Sequence, residues 1–149
     1  MATVTAGIYG IKYSGRGFWK THREADSQTF VAGQLVHLSG GYVTETATNA
    51  VLCTGIAGAA ATNVTVGWAD IPVFHIAADT ELWIQSYSTG AETHKGAFYE
   101  LLTTANINYV DTSASTYAIF HVIGKSDFDA WTDTYCRYVV KVSPAYLTG

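Results

Sequence analysis

The chain has 149 residues, a formal net charge of −4, and charged side chains at only 13% of its positions. That length suits one domain with a core of its own, and low charge with many β-branched and aromatic residues excludes a disordered chain and favours sheet. The mild acidity gives no warrant for nucleic-acid binding, and no apolar run reaches the roughly 20 residues of a membrane span.

Residues 1–28 read as an extended N-terminal arm without a sustained helical or strand period. Lys12, Arg16, Lys20 and Arg23 are half of the eight basic residues, and no acid precedes Glu24. The first 23 residues therefore carry +4 and the remainder −8. Tyr9, Tyr13, Phe18 and Trp19 interleave with the basic residues. A flexible tail gains nothing by exposing such surface, so the arm is expected to lie against its own domain or a neighbour. The opening MATVTAGIYG shows neither a charged n-region nor an apolar h-region. A protein that stays where it is made, or leaves by lysis or assembly, is the expectation.

Apolar periodicity begins near Phe30, which assigns residues 29–149 to a β domain that folds without residues 1–20. TFVAGQLVHLSGGYVTET reads as two strands about a Gly-Gly turn at 40–41. AVLCTGIAG follows as a short strand, and GAAATN as a small-residue link. VTVGW, IPVFHI and TELWIQSY are the next strands, with Pro72 at a strand start or an edge. In the last of these, Leu82 and Ile84 share one face and Glu81, Trp83 and Gln85 the other. STGAETHKG is a polar loop. GAFYELLTT, INYVD, AIFHVIG and CRYVVKV close the domain, separated late by the acidic loop KSDFDAWTDT. Turn signals about every ten residues predict an all-β fold, a small antiparallel β-barrel, β-tulip-like or sandwich domain.

No motif carries catalysis. The five histidines lack metal-ligand spacing, there is no Cys-x-x-Cys, and nucleophile elbows and phosphate loops are absent. The expectation is a non-enzyme with no cofactor and no metal. His75 shares a strand face with Ile71 and Val73, and His121 with Ile119 and Ile123. Both read as core or interface histidines, although the two strands can also bring them together. Cys53 and Cys136 lie in apolar runs and read as buried thiols, with a single bridge open if their strands are neighbours. Trp19, Trp68, Trp83 and Trp131 fit core or interface better than a sugar platform, with Trp83 partly exposed.

The run TFVAGQLVHLSGGYVTETATNAVLCTGIAGAAATN resembles the opening of tailed-phage head decoration (capsid cement) proteins. The parts that carry the likeness are Phe30, Ala32, Gly33, Leu35, Val36, Gly40, Gly41, Val43, Gly55, Ile56 and Ala57. IPVFHIAADTELWI, the stretch from Gly96 to Asp111, AIFHVIG and RYVVKV extend it over residues 29–143. The resemblance implies a β-barrel or β-tulip module on the outer capsid surface of a virion. Its implied partners are the major capsid protein and further copies of itself, as a homo-oligomer and most often a trimer. Neither nucleic acid nor membrane is an expected partner. The capsid-binding residues are then those of the arm: Lys12, Tyr13, Arg16, Phe18, Trp19, Lys20 and Arg23. A carbohydrate-binding β-sandwich, such as a module of a phage surface or tail adhesin, is the alternative.

Overall fold

The computed structural model describes residues 2–63 and 69–148. The strand expected at 64–68, with Trp68, lies outside the described residues. The described residues form eleven strands: β1 (Ile11–Tyr13), β2 (Phe18–Arg23), β3 (Leu35–Ser39), β4 (Tyr42–Glu45), β5 (Gly55–Ala57), β6 (Asp70–His75), β7 (Glu81–Ser86), β8 (Phe98–Thr104), β9 (Ile107–Asp111), β10 (Phe120–Lys125) and β11 (Arg137–Val142). Two single-turn 3-10 helices, Glu92–His94 and Pro144–Tyr146, are the only helical elements among them.

The strands make two sheets, in the orders β1-β7-β11-β10-β8-β9 and β2-β6-β5-β3-β4. In the first, β7 also pairs in parallel with β9 through Gln85↔Tyr109 and Ser86↔Val110. Strands β7, β11, β10, β8 and β9 therefore close into a ring. The other half of the same β7 edge is taken by β1, through Ile11↔Leu82 and Tyr13↔Glu81. The second sheet curls until its two edges meet, where the Ala25 N–H donates to the Val43 carbonyl at 2.9 Å beside a Glu24–Val43 bridge. The barrel-like all-β architecture is the one that the alternating pattern predicts.

The period-2 strands sort their side chains into two cores. The larger one takes Leu82 and Ile84 from β7, Phe120 and Val122 from β10, and Cys136, Tyr138, Val140 and Val142 from β11 and its approach. It continues into the second sheet through Leu35, Ile56 and Phe74. The opposite face of that sheet buries Val36, Val43, Ala57, Ile71 and Val73 around Phe30. Both cysteines are free and buried, and burial pushes both thiols up to about 12.

Two hairpins follow from turn chemistry. Gly40 and Gly41 have φ of 58° and 88° between the paired Ser39 and Tyr42, the two left-handed positions of a two-residue turn. Ala105 and Asn106 occupy the same conformation between Thr104 and Ile107, with φ of 49° and 60°. A left-handed backbone costs an alanine about 1–2 kcal/mol. Ala105→Gly is accordingly expected to stabilise the protein by about 1 kcal/mol, read as a higher midpoint of urea unfolding. An unchanged or lowered midpoint counts against that turn geometry.

The segment before Phe30, expected as an extended arm lying against its own domain or a neighbour, supplies a border strand to each sheet. It is also tied down before β1. The Val4 N–H donates to the Thr134 carbonyl at 2.9 Å, and the Trp83 N–H to the Gly10 carbonyl at 2.9 Å. The buried Gln85 amide bonds residues 5 and 7. Removing residues 1–10 is therefore expected to cost about 2 kcal/mol or more. Urea unfolding of the truncated chain checks this, and a full-length midpoint would show the segment to be dispensable.

Candidate functional site

The most exposed regular element is β2. Its only ladder among the described residues is with β6; the chain meets β4 just past its end, at Glu24 and Ala25, and along Phe18–Arg23 its second edge pairs with no described strand, with five of its six residues exposed. Pleating divides its side chains between two faces. Phe18, Lys20 and His22 point one way, and Trp19, Thr21 and Arg23 the other. Phe18 is 54% exposed and Trp19 58%. Burying such rings is the commonest source of strong interface contacts.

Local packing sets both rings in place. Phe18 stacks on His75, with ring centroids 4.7 Å apart and planes 12° from parallel. Trp19 meets Phe74 edge-on at 5.4 Å. Gly17 lets the strand begin this close to β6, because a Cβ there would overlap the Phe74 ring. His22 reaches the same patch, and its Nε2 lies 2.8 Å from Nε2 of His75. One imidazole must donate and the other accept, so the pair is bonded when at least one ring is neutral. Burial lowers the pKa of His22, helped by Lys20, and that of His75, helped by His22 and Lys20.

The seven arm residues separate in space. Phe18, Trp19, Lys20 and Arg23 lie together on β2, where the two cations form no ion pair among the described residues. Arg16 sits in the link between β1 and β2, 3.6 Å from Asp79. That contact and the Arg16 backbone N–H hold the Asp79 carboxyl below its ordinary pKa, the backbone bond contributing most. Lys12 on β1 is 3.2 Å from Glu81 and 5.8 Å from the centre of the Trp83 ring. Tyr13 is exposed on β1. Half of the basic charge read as steering charge is thus matched by acids of the chain itself, leaving Lys20 and Arg23. Of the two histidines expected to face core or interface, His75 meets His22, and His121 stacks on Phe98 at 4.3 Å.

The chain matches no known protein family, no curated protein and no solved structure.

What remains is the chemistry of the patch itself. Among the described residues no three His, Cys, Asp or Glu side chains converge. Along Phe18–Arg23 the β2 surface offers backbone groups that no described strand pairs, two large rings, and two cations without an ion pair among the described residues, which suits it to holding another macromolecule. The His22–His75 contact was not legible from spacing, because β2 was not read as a strand. Its signal was the alternation Phe18, Lys20, His22 opposite Ile71, Val73, His75.

The histidine pair makes stability depend on pH. A lowered folded pKa means that the unfolded chain takes up protons first as pH falls below about 6.5. The stabilisation is present above that pH and is lost as pH falls through the lowered folded values. The urea midpoint is expected to decline between pH 7 and pH 5, and His22→Gln to flatten part of that decline. An identical pH profile in the variant would show that the pair does not titrate with folding.

Proposed function

We infer that this protein is a capsid decoration (cement) protein, a non-enzymatic module that holds to the outer surface of a phage head and reinforces its lattice. The observation that carries the reading is β2, an edge strand whose outer side pairs with no described strand along Phe18–Arg23 and which displays Phe18 and Trp19 beside Lys20 and Arg23. An open edge pairs with another chain through main-chain hydrogen bonds, and alternating side chains give the contact its specificity. The resemblance of residues 29–143 to decoration proteins supplies the class of partner, the major capsid protein.

The division of labour follows from magnitudes. An exposed ion pair contributes about 0–1 kcal/mol, whereas a well-packed interface tryptophan contributes about 2 kcal/mol or more. Trp19 and Phe18 then set retention. Lys20 and Arg23 set the rate and orientation of arrival at an acidic surface. Lys12 and Arg16 contribute less than their charge suggests, being matched by Glu81 and Asp79. A trimer on the lattice is part of the proposal. Cyclic symmetry would let each copy cover the edge of β2 on its neighbour that pairs with no described strand, and an uncovered edge invites aggregation.

The experiment uses phage heads assembled without the protein. Trp19→Ala is expected to leave such heads about thirtyfold faster than the unaltered chain, the rate equivalent of about 2 kcal/mol. Neutralising Lys20 and Arg23 together is expected to slow capture and to weaken its dependence on salt. A chain that is absent from purified virions and is not retained on heads would overturn the proposal.

A further inference from the structure

A second surface lies on the outside of the ring, away from β2. The outward residues of β7 and β11 form its floor, with Trp83 from the first and Arg137 from the second. Tyr9 and Lys12 of the N-terminal segment form one wall, and the loop after β10 forms the other through Ser126, Asp127 and Phe128. Together they enclose a cleft of about 270 Å³. That is close to the lower end of the roughly 300–1,000 Å³ typical of small-molecule sites, room for one or two rings.

The cleft is built rather than incidental. Arg137 is held by the buried Asp129, whose carboxylate accepts from Nε at 3.0 Å, from Nη2 at 2.6 Å and from the Arg137 backbone N–H at 2.8 Å. The guanidinium then lies over the Tyr9 ring at 4.9 Å, which fixes that wall. Asp133 pins the same loop to the N-terminal segment, accepting from the backbone N–H groups of Ala2 and Ala130. Against this rigid frame one side chain stands out. Phe128 is 91% exposed, at the mouth of the cleft. A phenylalanine that remains in water forgoes the favourable burial of its ring.

The charges around the cleft select what fits it. Lys12 is matched by Glu81 at 3.2 Å and Arg137 by Asp129 at 2.6 Å. Neither cation is left to attract an anion. Asp127 is exposed and forms no ion pair among the described residues, and its carboxylate accepts hydrogen bonds from two donors side by side. Aromatic faces beside an unmatched acceptor suit a ligand with one apolar face and a rim of hydroxyl groups. A pyranose ring has that construction: its C–H face packs on an aromatic ring, while its equatorial hydroxyls donate outward.

We propose that the cleft between the N-terminal segment and the 126–128 loop binds a neutral saccharide ring, packed on Phe128 and Trp83 and hydrogen-bonded through vicinal hydroxyls to Asp127. The ring-sized volume limits recognition to one terminal or internal unit of a longer glycan. Each site is weak alone, and several copies held together would bind a glycan-coated surface by avidity. This activity does not depend on the capsid reading: it uses neither Trp19 nor the edge of β2.

The test is a titration of the full-length protein with cellobiose, maltose, lactose and N,N′-diacetylchitobiose, followed by amide and indole chemical shifts. At least one disaccharide is expected to shift the Trp83 indole and the amides of residues 126–128 in a saturable manner. Phe128→Ala, at a residue too exposed to support the fold, is expected to weaken that binding about tenfold or more. Asp127→Asn is expected to do so by a similar factor, since it removes a charged acceptor. Phe18→Ala on β2 is expected to leave it unchanged. Two results would overturn the proposal: no saturable shift with any of the four sugars, or binding that both cleft variants leave intact. A charged sugar such as a sialoside binding more tightly than all neutral ones would overturn the neutral-ligand assignment.

Discussion

One buried amide organises the outer face of the ring. Gln85 is almost fully enclosed, and all of its donor capacity is used. Its Nε2 donates to the carbonyls of Thr5 and Tyr135, at 2.9 Å and 3.0 Å, and its Oε1 accepts from the Gly7 N–H at 2.9 Å. A buried amide left unpaired costs about 1–3 kcal/mol, so residues 5–7 and the approach to β11 are held to β7 together. From that attachment the chain continues to Tyr9 over Arg137, to β1 along β7, and then to β2 along β6. Both surfaces argued for above therefore depend on it: the cleft directly, and the open edge through the path of the chain.

The strands from residue 35 onward were legible because each has a buried face. Leu82 and Ile84, or Tyr138, Val140 and Val142, repeat every second residue against a core, and that period survives in the sequence. The Gly-Gly turn was legible from its left-handed requirement, whereas the equivalent turn at Ala105 and Asn106 carries no glycine to announce it. Residues 11–23 hid their strands for the opposite reason. With both faces of β2 largely in water, no apolar alternation is needed, and the segment reads as irregular. Trp83 lies on the less buried face of β7, as the alternation predicts. Gln85, on the same face, is buried because the N-terminal segment crosses it, and nothing in local spacing shows a covering segment 80 residues away.

The candidate sites divide along the same line. Phe18, Trp19, Lys20 and Arg23 were singled out by composition, as aromatic and basic residues without a compensating acid. Their pairing state was not legible, because Asp79 and Glu81 reach Arg16 and Lys12 only once β1 lies on β7. The 125–134 loop, KSDFDAWTDT, reads as acidic. Two of its aspartates are structural, Asp129 for Arg137 and Asp133 for backbone N–H groups. Of its two aromatic residues Trp131 packs against the core, and Phe128, left in water, is the informative one.

The interleaving of the two sheets also orders events during synthesis. The segment that becomes β1 and β2 is made before either of its partners. Residues 18–23 have nothing to pair with until residues 70–75 exist, and residues 11–13 wait for residues 81–82. Ring closure waits longer still, until β10 and β11 exist to join β7 to β8. β1 and β2 therefore wait longer than the other described strands for a first partner, and contacts of such long sequence separation form slowly. Throughout that interval Phe18 and Trp19 sit on a nascent strand that is unpaired on both edges. Lys20 and Arg23, placed among them, then keep the strand soluble and apart from its neighbours while the rest of the domain is completed.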